Sequence, residues 1–357
     1  MKRLLGAGGS SLYAYTDADA VPARVLVCST PSSRRLLTDP TVCGGEYRRL
    51  TRTAVAEALG ALAEADVPAV ADTPADGFAA LDVLRGGLSF AVEDAIGTVL
   101  GADPTVSFVG TERPADGPVE LVYDRWELGR ATTLVVGDII GTGGTLARVL
   151  TEAVGRAAAR GVPLRSVVLL TIGSLAGVRR VAAALAAAAP DGGGAPAPSL
   201  TVVALESLYD LPDLAAPAPF TRCPFDLLRS PAVSAPEYER ERLRAAGSLF
   251  ERCAVYDGGV RSFTPAEHAE HRSAWWADVV ERGVPLTSLA ALTAGLESYR
   301  LPLDAWLRAL PWAGLPDEDA AAVHLLGQEA VRFAEGLATH EYVRDILTTK
   351  EKPVGSA

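Results

Sequence analysis

The chain has 357 residues, 49% of them hydrophobic and 22% charged, with a formal net charge of −11. That length suits a large core plus an appendage, the composition excludes disorder, and the acidic balance argues against nucleic acid as the main partner. Residues 1–9 hold too short an apolar stretch for a signal peptide, and no run of eighteen apolar residues occurs, so no membrane association and a cytoplasmic location are expected.

Taken in chain order, β-branched and apolar runs predict strands at 24–28, 67–70, 80–84, 106–109, 119–122, 133–136, 166–171 and 200–204. Spacing of 3.6 residues predicts helices at 46–65, 88–100, 145–160 and 176–189. This alternation predicts an α/β fold: a mainly parallel sheet with helices on both faces and a ligand crevice at the C-terminal strand ends. Residues 190–199 read as a surface loop within an α/β domain spanning 1–210. The Pro-rich stretch 211–235 reads as a connection, and 236–357, with little strand signal, as a C-terminal all-helical domain. The four cysteines (Cys28, Cys43, Cys223, Cys253) are scattered and read as reduced thiols. In the helical part, His268 and His271 lie one turn apart but have no third ligand fixed by spacing, so a solvated first turn is expected. Trp275, Trp276 and Trp306 are expected to pack domains together, and His340-Glu341-Tyr342 to be surface helix.

The most informative stretch is 134–146. Leu134, Val135 and Val136 lead to Asp138, the small residues Gly141, Thr142, Gly143, Gly144 and Thr145 follow, and an amphipathic run begins at Leu146. A buried strand, a tight loop and a helix start in that order present backbone N–H groups and two hydroxyls to an anion at the positive end of a helix. Asp138, just ahead, suits sugar hydroxyls or a magnesium-bound group. The spacing excludes a Rossmann fingerprint, which needs a third glycine where Leu146 stands, and a Walker loop, which needs Lys where Thr145 stands. The stretch reads as a cradle for a sugar phosphate.

Two further segments bear on the same chemistry. Val83-Leu84-Arg85-Gly86-Gly87-Leu88 is an apolar strand ending in a cationic turn, and a guanidinium beside bare backbone suits a polyanion. The third segment carries Gly110-Thr111-Glu112-Arg113, Pro118-Val119-Glu120 and Tyr123-Asp124-Arg125-Trp126.

With these residues the chain resembles the type I phosphoribosyltransferases, and over 35–210 it is most similar in pattern to their uracil branch. Residues 134–146 resemble that family's PRPP loop, 83–88 its pyrophosphate loop, and 109–126 the flexible loop of the uracil enzymes, with Arg125 where that branch carries Lys. Glu46-Tyr47-Arg48-Arg49-Leu50 and Asp72-Thr73-Pro74 resemble the branch's early helix and a following turn. Two departures stand out. Gly137 occupies the first of the family's two acidic positions, leaving Asp138 alone, and the uracil-binding hood has no counterpart.

The resemblance implies a magnesium-dependent enzyme that transfers a phosphoribosyl group from PRPP to an acceptor and releases pyrophosphate. It implies Asp138, Arg113 and Asp124 as catalytic residues, Asp138 also as the protein's contact to Mg2+. Arg85, Gly86, Gly87, Gly141, Thr142, Gly143, Gly144, Thr145 and Arg125 would bind PRPP. Partners would be PRPP, an acceptor and a second copy in a homodimer. The missing hood points to an acceptor other than uracil, as in specialised metabolism such as antibiotic biosynthesis. Glu206, Asp210 and Asp213 near the crevice suggest a cationic one, an amino sugar or aminocyclitol, or else an unusual heterocycle. A PRPP-sensing regulator on the same scaffold, a uracil enzyme with a rebuilt hood, and a scaffold protein that recruits partners through its helices are the alternatives.

Overall fold

The structure, a computed structural model, describes residues 1–7, 9–15, 21–114, 117–188, 196–211, 231–244, 255 and 259–281. The chain opens with an antiparallel hairpin, β1 (Lys2–Ala7) and β2 (Ser10–Ala14), and β2 pairs antiparallel with β3 (Arg24–Ser29). Two helices follow, α1 (Pro31–Thr38) and α2 (Gly44–Glu64); Pro31 sits where a helix needs no N–H, and Thr30 caps α1 by accepting from the Ser33 N–H. After the single turn α3 (Pro68–Ala71) come β4 (Phe78–Leu84), the single turn α4 (Val92–Ala95), a π-helical turn at Ile96–Leu100, β5 (Thr105–Glu112) and β6 (Glu120–Arg125). The second half alternates strictly: β7 (Thr133–Ile140), α5 (Gly144–Ala159), β8 (Ser166–Ser174), α6 (Leu175–Ala187) and β9 (Ser199–Tyr209). It ends with β10 (Pro231–Ser234), α7 (Pro236–Arg244) and a helix at Pro265–Glu281.

All described strands join one sheet in the order β1-β2-β3-β9-β8-β7-β4-β5-β6, with β10 added to β9. From β3 to β5 along that order every neighbouring pair is parallel, and β6 turns back antiparallel on β5. The central strands read as continuous apolar runs because both faces are covered: Leu134, Val135 and Val136 of β7 and Val167 to Leu170 of β8 are fully buried. On α5, Leu146, Ala147, Val149, Leu150, Ala153, Val154 and Ala157 form one buried stripe.

Connection direction decides where a ligand can bind. The chain leaves β4 for β5 in one direction along the sheet and leaves β7 for β8 in the other. Right-handed crossovers in opposite directions put their helices on opposite faces, with α1, α2 and α4 packed together on one and α5 with α6 on the other. The strand order therefore reverses between β4 and β7, and the loops leaving these two strands flank a crevice, the usual binding position of such sheets.

Several expectations need correction. Residues 67–70 form helix rather than strand, because Pro68 pre-organises a helix start after Val67. The stretch 88–100 is broken into turns, with Ala91 left-handed at φ +46°. The β1–β2 hairpin and α1 were not foreseen. Within 211–235, residues 231–234 are a strand of the sheet, not linker. The expected 236–357 domain lies mostly outside the described residues, as do Trp306 and the His340 segment. Its described part packs against the α/β core. The Tyr238 hydroxyl accepts from the Tyr209 hydroxyl at 2.9 Å, and one Glu237 carboxylate oxygen accepts from Ser11 and Tyr13. His268 is buried with its ring Nε2 2.8 Å from the Pro40 carbonyl, whereas His271 and the other residues at 265–270 are exposed, so the first turn is solvated as expected except for His268. Cys28 is a buried free thiol, and no described helix is long and apolar enough to cross a membrane.

Candidate functional site

The loops after β4 and β7 touch at the point where the strand order reverses. A Cβ on Gly86 would lie 2.6 Å from Asp138 Oδ1, and one on Gly87 would lie 3.3 Å from the Gly137 carbonyl oxygen. Both glycines are thus required by close approach, and the Arg85-Gly86-Gly87 turn rests directly on the end of β7. The peptide bond Leu84–Arg85 is cis, and the Arg85 side chain is exposed at the turn.

The loop 141–143 is clamped from behind by the first turn of α6. Ser174 caps that helix, accepting from the Gly177 N–H at 2.8 Å, and donates to the Gly141 carbonyl at 2.6 Å. Gly143, left-handed at φ +73°, sits so close to the Gly177 carbonyl that a Cβ would approach within 2.3 Å. Gly143 also caps α5 with no side-chain bond to the helix, which leaves the first N–H groups of α5 facing outward beside Thr142 and Thr145.

Two guanidinium groups converge on that helix end. A Cβ on Gly144 would meet Arg113 Nη2 at 3.0 Å and the Arg180 guanidinium carbon and Nη1 at 3.4 Å. Two like charges sharing one spot with a helix N-terminus make a concentrated positive field suited to a dianion. Arg113 was foreseen, with a role at pyrophosphate; the structure places it first over the cradle. Arg180 was not foreseen, because an exposed arginine one turn into an amphipathic helix looks like ordinary solvated surface. Its cue was topological: α6 follows the strand adjacent to β7.

Asp138 ends the apolar run of β7. Its Oδ1 accepts from the Ile139 N–H at 2.8 Å, and its backbone carbonyl accepts from Thr171 Oγ1 at 2.8 Å. Burial pushes its carboxyl up to about 7, against the opposing effect of that amide hydrogen bond. Beneath the turn, Asp82 is buried and also pushed up to about 7, first by burial and then by Glu93 and Asp94. Gly137 now has a physical explanation: a Cβ there would fall 2.4 Å from Cβ of Phe90, a fully buried ring. Gly259 packs on the same strand end, with Ile139 Cδ1 2.6 Å and the Tyr47 hydroxyl 3.4 Å from the position its Cβ would take, so the C-terminal segment reaches the crevice wall.

Three foreseen residues lie elsewhere. Asp124 Oδ2 pairs with Arg156 at 2.5 Å and accepts from the Trp126 indole at 2.9 Å. Arg156 is twelve residues along α5 from Gly144, about 18 Å of helix, so Asp124 belongs to the opposite end of that helix. Arg125 points to the other side of β6 and pairs with Glu127 at 3.6 Å. Glu206 is fully enclosed in a bulge of β9 at φ +67°, where Oε1 accepts from the Thr30 N–H at 2.9 Å and from Ser33 Oγ. Burial pushes it up to about 7 as well, against Arg34 and its hydrogen bonds. Asp210 is exposed, and Asp213 lies outside the described residues.

No family model and no curated protein matches the chain. Among solved structures it is similar to a hypoxanthine phosphoribosyltransferase from Staphylococcus aureus, with 12% identity, 44% of this chain and 76% of that chain covered, and a TM-score of 0.27. It is also similar to the hypoxanthine-guanine phosphoribosyltransferase of L. donovani, with 17% identity, 36% and 73% covered and a TM-score of 0.26. A Trypanosoma cruzi hypoxanthine phosphoribosyltransferase variant complexed with its product IMP gives 16% identity, 55% and 92% covered, and a TM-score of 0.28. The overlaps are partial and the identities low, so the chemistry of the site rests on its own residues.

Proposed function

We propose that this protein transfers the 5-phosphoribosyl group of PRPP to an acceptor other than uracil, releasing pyrophosphate. The observation that carries the reading is the meeting, at the reversal of strand order, of the anion cradle Gly141–Thr145 under Arg113 and Arg180 with Asp138 and the Arg85-Gly86-Gly87 turn. The cradle would take the 5-phosphate, Asp138 a ribose hydroxyl, and the exposed Arg85 beside bare Gly86 and Gly87 the pyrophosphate. Catalysis would come from fixing the sugar between two anion sites and neutralising charge on the leaving group, while the acceptor attacks the anomeric carbon. Asp138 is the residue that would hold a magnesium ion here. Such an ion would add charge neutralisation to the leaving group. Asp124, held by Arg156, is given no catalytic role here, and the enclosure of Glu206 removes one reason for a cationic acceptor.

Incubation with PRPP, magnesium and a panel of heterocycles and polyamino alcohols, following pyrophosphate, tests the reading. Acceptor-dependent release supports it, and efficient formation of uridine monophosphate would instead indicate a uracil enzyme with a rebuilt hood. The second reading, a PRPP-sensing regulator, is favoured by Phe90 occupying the side-chain space at Gly137. Tight PRPP binding with no pyrophosphate release from any acceptor would select it.

A further inference from the structure

At its end, β7 offers the sugar subsite one side-chain carboxylate, that of Asp138. At residue 137 no side chain fits, since a Cβ would overlap Phe90 Cβ at 2.4 Å, Cγ at 2.6 Å and Cδ1 at 2.7 Å. Phe90 cannot yield easily, being wholly buried just after the β4 turn, where its N–H donates to the Gly87 carbonyl at 2.8 Å. Residue 137 therefore contributes no side chain, and so no hydrogen bond, to the sugar subsite. Asp138 itself is half engaged: its Oδ1 accepts from the Ile139 N–H at 2.8 Å and is covered by Gly86. That leaves Oδ2 for a ligand. A carboxylate grips two adjacent hydroxyls best with both oxygens, whereas one oxygen holds one of them. Asp82, the nearest carboxylate in sequence on β4, is sealed beneath the turn and supplies no second acceptor.

We propose that this subsite recognises one of the two adjacent ring hydroxyls of a pentose 5-phosphate and is indifferent to the other, so that it accepts a deoxypentose 5-phosphate as well as the ribose compound. The inference rests on the phosphate-cradle reading of the proposed function. A site discriminates strongly against a missing hydroxyl only where a buried partner would be left unpaired, and a glycine at residue 137 leaves the second hydroxyl without a side-chain carboxylate as its partner.

The test is a calorimetric titration of the full chain with ribose 5-phosphate, 2-deoxyribose 5-phosphate, 3-deoxyribose 5-phosphate and unphosphorylated ribose. One deoxy compound should bind within about threefold of ribose 5-phosphate and the other at least about tenfold more weakly. Asp138→Asn should weaken ribose 5-phosphate and the tolerated deoxy sugar by the same factor and leave the disfavoured one unchanged. Tenfold or greater loss for both deoxy compounds would overturn this inference while leaving the cradle in place. Failure of all three phosphates to bind, or binding of ribose as tight as that of its phosphate, would overturn the proposed function and this inference with it.

Discussion

Asp138 and Glu206 occupy comparable places, near the C-terminal ends of β7 and β9, and burial pushes both carboxyls up to about 7. Their surroundings differ in kind. Asp138 is half-buried, keeps one oxygen for the crevice, and stands against the bare Gly86 turn. Glu206 is enclosed by the cap of α1, where Thr30 and Ser33 take up Oε1. A strand-end acid is thus available for chemistry only where its neighbours are glycines that withhold side chains. Where the neighbours are capping hydroxyls, the same acid becomes part of the frame.

The comparison can be broken most forcefully at the cradle. In Gly144→Val the new side chain enters the space of the Arg113 and Arg180 tips, which are flexible, so the fold should survive. Losing two charge-assisted contacts of about 1.5–3 kcal/mol each predicts at least about a 100-fold fall in PRPP affinity with an unchanged melting curve. Unchanged affinity in the folded variant would remove the cradle reading.

Next in size is the enclosed acid. A carboxyl raised from 4.5 to about 7 favours the protonated folded state, so its contribution is full below 4.5 and is lost as pH rises through 7. The shift corresponds to about 3 kcal/mol. Denaturant unfolding from pH 4.5 to 8 should show stability falling toward neutrality. Glu206→Gln, which keeps the acceptor for Thr30, should flatten that fall and leave PRPP affinity unchanged. A change in affinity would bring Glu206 back to the site. Asp138→Asn should do the reverse, lowering turnover by about tenfold or more without loss of stability. Activity near that of the parent would mean another group holds the ribose.

The smallest effect is predicted for Asp124→Asn. Its partner Arg156 is partly exposed, so stability should change by no more than about 1 kcal/mol and turnover hardly at all. A large loss of turnover would mean that Asp124 reaches the acceptor after all.

What could be read from the sequence follows the same division. The strand, loop and helix at 134–146 and the turn at 85–87 were legible because glycine, small residues and apolar runs mark them locally. Gly137 was legible as a departure but not as a consequence, since Phe90 approaches it from another element. The hairpin β1–β2 was missed because its strands are rich in Gly, Ser and Ala and carry little alternation. Arg180 entering the cradle and Asp124 leaving for Arg156 are both decided by packing across elements. Glu206 combined both difficulties, a left-handed residue in a bulge whose partners lie 173 and 176 residues away.

The central claim is that the reversal of strand order between β4 and β7 binds PRPP through the cradle under Arg113 and Arg180. Calorimetric titration of PRPP with magnesium into the parent protein and into the Arg113→Ala/Arg180→Ala double variant tests it most directly. Both side chains are exposed, so the double variant should fold. Saturable one-to-one binding by the parent, weakened at least about 100-fold in the folded double variant, is the predicted result. No binding by the parent, or equal affinity in the two proteins, would contradict it.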